Sequence, residues 1–204
     1  MKFVLFVEGY TEKKVLSTFF KKWLDPRLTQ PVGIKVVRSE GWTDYVRDIA
    51  KKVDLYLSAT EGGDIIAAIG LIDLYGPTIY PQSITAAAQR YSWARDYFSK
   101  LVGNPRFRQH FAVHETEAWL LSDPSIFPFK LPANRGAPET IDFDEPPAKF
   151  LDKLYQTHLK QSYKKVVDGY NLFQKLSPET AVSKCPYLHA LLLDMLHLAN
   201  AAGL

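Results

Sequence analysis

Apolar residues along this chain switch between unbroken runs and helical spacing. Phe3 to Val7 is a continuous apolar run, which predicts a strand buried on both faces of a parallel sheet. Glu8-Gly9-Tyr10-Thr11 interrupts it. Val15, Leu16, Phe19, Phe20, Trp23 and Leu24 then recur at helical spacing, in a helix running from about Glu12 until Asp25-Pro26 ends it. Ile34 to Val37 reads as a second strand. Trp42, Val46, Ile49, Val53 and Tyr56 mark a second amphipathic helix, with Thr43 or Asp44 near its start. Ile65 to Ile72 is a third buried strand; it ends in Asp73 and is followed by turn chemistry at Leu74-Tyr75-Gly76-Pro77. A long helix is predicted over Ser83–Leu101. A fourth strand, Phe107–Val113, runs into His114-Glu115-Thr116-Glu117, and a helical turn or two follows at Ala118–Leu121.

Six of the thirteen prolines lie between Pro124 and Pro147, which marks an extended, turn-rich connection. Beyond it, Phe150 to Tyr155, Val166 to Phe173 and Leu188 to Leu198 read as three short helices. Strands alternating with helices imply an α/β fold: a Rossmann-like, mostly parallel sheet flanked by helices. The expected organisation is an α/β core over 1–123, the proline-rich connection over 124–147, and a helical C-terminal part over 148–204 packed on the core.

Composition narrows the picture. With 204 residues, 47% of them apolar and 23% charged, the chain is ordinary for a globular protein, so disorder and fibrous architectures are excluded. The single cysteine, Cys185, rules out an intrachain disulfide and any multi-cysteine zinc site, and it fits a reducing compartment. No apolar run reaches the roughly 18 to 20 residues of a membrane span. Glu8 interrupts the apolar N-terminus and no small-residue cleavage site follows it, so a cytoplasmic location without membrane attachment is expected. The net charge of +3 is compatible with a polyanionic partner but does not demand one. Seven lysines against four acidic residues make the segment 148–204 its basic part.

Three strands end in carboxylates: Glu8, Asp73, and Glu115 or Glu117. Ligands of open α/β sheets bind beyond the carboxyl ends of the strands. Neighbouring strands lie about 4.8 Å apart, so carboxylates at adjacent strand ends repel unless protonated or neutralised by a cation. A hard, oxygen-liganded ion, Mg2+ or Mn2+, is the natural partner, and it is a common device for phosphoryl chemistry. Glu12, one helical turn beyond Glu8, suits a contact behind the ligands, a second metal, or the helix N-terminus. An acidic residue just past a strand is common in itself. The combination of Glu-Gly-x-Thr-Glu after one buried strand with Ile-Asp-x-x-Gly at the end of another is far more specific.

Val7-Glu8-Gly9-Tyr10-Thr11-Glu12 together with Leu71-Ile72-Asp73-Leu74-Tyr75-Gly76 resembles the Toprim fold of topoisomerases, primases and OLD-type nucleases. More closely, it resembles the bacterial, Toprim-like family catalogued as domain of unknown function 4276. The likeness extends through His114–Asp123, Pro138-Glu139, Ser162-Tyr163-x-Lys165 and Cys185-Pro186. The resemblance implies a Toprim-like Mg2+ site in which Glu8 is a metal ligand or general acid/base and Asp73 is the first aspartate of an Asp-x-Asp motif. Tyr75 stands where the second aspartate would be, so Glu115 or Glu117 would have to supply the missing carboxylate. It also implies cooperation with a separately encoded ATPase in bacterial phage defence.

His114-Glu115-Thr116-Glu117 is not a zinc-protease motif, because Ala118 stands where the second histidine is needed. Lys165, and less specifically Lys164, suits charge stabilisation over a scissile phosphate, and Arg135 and Lys149 suit phosphate contact. Trp42, Tyr91, Trp93 and Tyr97 are assigned to the core. The sequence therefore predicts a metal-dependent phosphodiesterase, a nuclease acting on DNA or RNA. Glu8, Asp73 and Lys165 would be its catalytic residues, and Glu8, Asp73, Glu115 and Glu117 its metal ligands. The alternative is a non-catalytic module that binds nucleic acid or protein.

Overall fold

The structure, a computed structural model, describes residues 1–58, 63–133, 137–140 and 145–204, with Thr140 represented by its backbone. Four strands, β1 (Lys2–Val7), β2 (Gly33–Arg38), β3 (Ile65–Asp73) and β4 (Phe107–Ala112), form one sheet in the order β2-β1-β3-β4, and every pairing is parallel. Three helices alternate with them: α1 (Tyr10–Leu24), α2 (Trp42–Ser58) and α3 (Ala87–Val102). After β4 come α4 (Glu117–Leu120), α5 (Pro147–Leu159), α6 (Tyr170–Lys175), α7 (Pro178–Lys184) and α8 (Pro186–Ala201). The protein is thus an α/β chain of Rossmann-like architecture with a helical C-terminal part.

Strand periodicity sorts the core into two layers. Phe3, Leu5 and Val7 of β1 join Ala67, Ile69 and Leu71 of β3 on the face covered by α1 and by Leu172, Phe173, Leu188, Leu191 and Leu192 of the C-terminal part. Val4 and Phe6 point the other way, onto Tyr45, Ile49 and Val53 of α2 and Tyr91, Ala94 and Phe98 of α3. Between its partners Lys2 and Val4, β3 spends one extra residue, and this bulge puts Ile65 and Ala68 on the same face although they are three apart. Phe19, Trp119 and Phe173 tie α1, α4 and α6 together, with the Phe173 ring 5.5 Å from Phe19 and 6.4 Å from Trp119. Among the described residues, no helix is long and apolar enough to cross a membrane.

Three expectations shift. The third helix begins at Ala87 and not Ser83: Ile84 N–H closes a turn onto Pro81 O at 2.9 Å, and Ala86 is still extended (φ −71°, ψ 141°). Tertiary turn geometry overrides the helix propensity of the alanine run. Helix α7, seven residues long, is too short to leave a periodic signal in the sequence. Lys165–Gly169 is a widened π-type turn leading into α6. The proline-rich connection contributes short 3-10 turns at Pro124–Ile126 and Pro138–Thr140.

Gly70, at the centre of the sheet, meets Tyr45 and its hydrogen-bond partner Gln109 so closely that a Cβ there collides with both. Gly70→Ala is expected to cost about 1–3 kcal/mol, read from the urea midpoint. Glu139 is buried under the start of α8, where it accepts the N–H of Tyr187 at 2.7 Å and of Leu188 at 3.2 Å. Burial raises its pKa from 4.5 to about 7, the two backbone N–H groups pulling the other way. The folded chain therefore holds this proton more tightly than the unfolded chain. The stability it contributes is present in full below pH 4.5 and is lost as pH rises to about 7. Glu139→Gln should flatten this slope, removing up to about 3 kcal/mol of the decline measured by urea unfolding at successive pH values.

Candidate functional site

The strand order brings the acidic motifs together. The chain leaves β1 towards β2 on one side and reaches β4 from β3 on the other, so the crevice between β1 and β3 is the topological switch point. Val7 pairs with Leu71, Glu8 is the next residue after β1, and Asp73 closes β3. Past Asp73, Leu74 N–H bonds Ala112 O and Tyr75 N–H bonds His114 O, each at 2.9 Å. These bonds hold the 113–116 loop against the aspartate, whose Oδ1 accepts Thr116 N–H at 3.1 Å.

Each residue of the first motif has a physical use. The Glu12 carboxylate lies over Gly9 so closely that any Cβ at that position would strike it. Glu12 is only 5% exposed although it is an acidic residue. Thr11 donates its hydroxyl to Lys165 O at 3.1 Å, fixing the turn that carries the lysine. Tyr10 is exposed and lies under the Arg38 guanidinium, 3.8 Å from the ring centroid.

Lys165 Nζ reaches into this assembly, 3.1 Å from Glu117 Oε2, 3.5 Å from Asp73 Oδ2 and 4.0 Å from Glu12 Oε1. Burial opposes its charge, yet Asp73, Glu117 and Glu12 outweigh that and raise its pKa, so the ammonium stays protonated. Burial raises the Asp73 carboxyl well above its ordinary range, Glu12, Glu8 and Glu117 adding to the rise while Lys165 opposes it. Glu117 is shifted upward by burial as well. For Glu8, burial and then Glu12 raise the pKa to about 7, against the pull of Lys165 and the Asp73 backbone. Thr116 Oγ1 lies 3.1 Å from Glu12 Oε1 and 3.4 Å from Glu117 Oε2, so one hydroxyl proton is shared between two carboxylates. One buried oxygen each of Glu8 and Glu12 has no hydrogen-bond partner among the described residues. An open cleft of about 270 Å³ is lined by Glu8, Gly9, Glu12, Asp73 and Lys165.

The structure therefore gathers Glu8, Glu12, Asp73, Glu117 and Lys165. Glu115 is tied to a different element, its Oε2 accepting Ala148 N–H at 2.8 Å at the start of α5, while its charge still acts on Glu8, Glu117 and Lys165. Glu115 lies in the 113–116 loop and helix α4 begins at Glu117, so the two glutamates do not share a strand face. Lys164 is exposed, and its N–H donates to Asp168 Oδ2 at 2.6 Å. Lys149 is exposed on α5. Arg135 lies outside the described residues. Three participants were not assigned roles from sequence: Thr11, Thr116, and Tyr163, whose buried hydroxyl has no partner among the described residues. Thr11 and Thr116 each sit beside a motif glutamate, and this adjacency is the signal that could have found them.

The donor chemistry of the cluster, carboxylate oxygens with two of them unpartnered, suits a hard divalent cation. Among the described residues, no three His, Cys, Asp or Glu side chains are grouped as a metal-holding set, and the Lys165 ammonium supplies the positive charge. Fold and site together define an α/β protein with an acidic, lysine-bridged crevice at its switch point. The chain belongs to the family described as Domain of unknown function (DUF4276), whose model matches residues 7–196 and so takes in every residue of the crevice. No curated protein and no solved structure matches it.

Lys165→Met removes the counter-charge of a buried cluster and should destabilise the fold by about 3–5 kcal/mol at pH 8. Without the ammonium, the folded carboxylates hold their protons to higher pH than the unfolded ones do. The loss should therefore shrink towards pH 5, measured by thermal unfolding across that range.

Proposed function

We propose that this protein is a divalent-cation-dependent phosphodiesterase, a Toprim-like nuclease acting on DNA or RNA. The observation that carries this reading is the convergence of Glu8, Glu12 and Asp73 on one cleft, with an unpartnered buried oxygen, among the described residues, on each of Glu8 and Glu12. Mg2+ or Mn2+ is the cofactor class that such a donor set suits. Glu8 and Asp73, which line the cleft, would hold it with waters completing its shell, and Glu12 lies beside them. When bound, such an ion supplies an acidified water and positive charge beside the phosphoryl oxygens.

The chain's own groups supply the rest. Glu8, with its pKa raised to about 7, exchanges protons near neutral pH. Its carboxylate takes the proton of the attacking water as the water oxygen bonds to phosphorus. The bond from phosphorus to the leaving oxygen breaks, and that oxygen takes a proton from solvent. The Lys165 ammonium offsets the charge building on the non-bridging oxygens, held in place by Thr11. The Toprim resemblance further supports a separately encoded ATPase as partner, phage defence as the setting and the cytoplasm as the location.

A second reading has its own support. Lys165 already provides the charge that a metal would bring, which favours a non-catalytic module binding nucleic acid or protein through the same sheet. Two measurements separate them. Purified protein with Mn2+ should cut DNA or RNA, and Asp73→Asn should lower the rate at least about 100-fold. Equal cleavage by both proteins would trace the activity to a contaminant. Millimolar Mn2+ should raise the melting temperature of the native chain and not of Asp73→Asn, as an ion bound only to the folded state must. No shift for either protein would favour the module.

A further inference from the structure

Between β3 and α3, residues 74–86 fold into a second concavity of about 420 Å³, walled by Tyr75, Tyr80 and Arg90 and edged by Thr78 and Gln82. Its walls are set by contacts already made. The Tyr80 hydroxyl donates to Leu74 O at 3.1 Å, Trp93 meets its ring edge-on at 6.0 Å, and the Arg90 guanidinium lies 5.0 Å from its centroid. Arg90 Nε in turn donates to Ile84 O at 3.2 Å. Tyr75 follows Asp73 by two residues, at most about 7 Å along the chain, and its N–H is fixed on His114 O at 2.9 Å. Glu8 lies close enough that its charge adds to the burial raising the Tyr80 hydroxyl's pKa. The concavity and the acidic cleft therefore flank one strand end.

The linings of the two are opposite in character. The cleft presents carboxylates and a lysine. The concavity presents aromatic rings, a guanidinium plane and neutral hydrogen-bonding groups, and among the described residues no acidic side chain lines it. A cavity of this volume is at the small end of small-ligand sites. Aromatic and guanidinium faces are the groups on which unpaired bases stack. A base buried in a duplex stack cannot enter such a pocket without leaving the stack. We infer that the concavity between β3 and α3 is a nucleobase site, which seats one unstacked base of a single-stranded nucleic acid while its phosphodiester lies over the Glu8–Asp73 cleft. This inference rests on the phosphodiesterase reading for its substrate and extends it to the strand state and to the residues that grip the base.

The test is binding without turnover. The full chain in Ca2+ is titrated by fluorescence anisotropy against a labelled single-stranded DNA or RNA decamer, the same decamer as an abasic backbone, its duplex, and a mononucleotide. The base-bearing strand should bind at least about fivefold more tightly than the abasic one. Tyr75→Ala should remove most of that difference, and Tyr75→Phe should restore it. Equal affinity for abasic and base-bearing strands, tighter binding of the duplex, a mononucleotide bound as well as the decamer, or no binding of any strand would each overturn the site. The abasic comparison is made on the unaltered chain, so it decides the question even if Tyr75→Ala fails to fold. Cleavage of the decamer in Mn2+, with and without Asp73→Asn, is scored separately. Cleavage with no base preference would sink the pocket and leave the phosphodiesterase standing. Base-dependent binding without cleavage would do the reverse.

Discussion

A single ammonium held among four carboxylates is the constraint to which the rest of this molecule answers. Two unit charges about 4 Å apart interact by roughly 4 kcal/mol at the effective dielectric of a protein surface, so each unscreened carboxylate pair is a serious cost. Lys165 stands within 4.0 Å of Glu12, Asp73 and Glu117 and offsets part of that repulsion. One positive charge cannot balance four negative ones, and the pKa values of Glu8, Asp73 and Glu117 are pushed upward by burial and by their acidic neighbours. Glu8, whose pKa burial and Glu12 raise to about 7, changes charge near neutral pH. The crevice is acidic, open to solvent and, among the described residues, incompletely hydrogen-bonded.

The surrounding architecture keeps the crevice from relaxing. Glu8 and Asp73 are anchored by adjacent parallel strands whose side chains are packed on both faces, so neither carboxylate can withdraw without disturbing the core. Gly9 leaves room for the Glu12 carboxylate, and a larger residue there would push it out. Thr116 serves three of the acids at once, through its N–H to Asp73 and its hydroxyl between Glu12 and Glu117. The lysine arrives from the far end of the chain, on a turn fixed by Thr11 and by the Lys164 N–H to Asp168 bond. The helical C-terminal part is therefore more than a cover for α1, because it delivers the only cation found within ion-pair distance of the cluster among the described residues.

Much of this was legible in the chain. The buried runs at Phe3–Val7 and Ile65–Ile72 announced a parallel sheet, because strands covered on both faces must be apolar throughout. With the strands located, the switch-point rule alone directs attention to Glu8 and Asp73. The bounds of α3 and the presence of α7 were not legible, since one depends on a turn closed by Pro81 and the other on burial against α8. Glu115 and Glu117 could not be separated either. Glu115 lies in the loop between β4 and α4 while Glu117 opens α4, and the pattern of residues does not show where the loop gives way to the helix.

The sequence by itself determined the alternation of strands and helices, that no disulfide can form within these 204 residues, and which carboxylates stand at strand ends. These properties are local: they depend on which side chains follow one another, and periodicity records that directly. Only the tertiary structure decided that a lysine 92 residues beyond Asp73 would close the cluster, that Glu115 would turn to the start of α5, and that Tyr75 and Tyr80 would wall a pocket beside the strand end. Those outcomes depend on how strands order themselves and where a distant turn docks. No pattern along the chain encodes such packing, because it is settled by contacts between segments that the sequence keeps far apart.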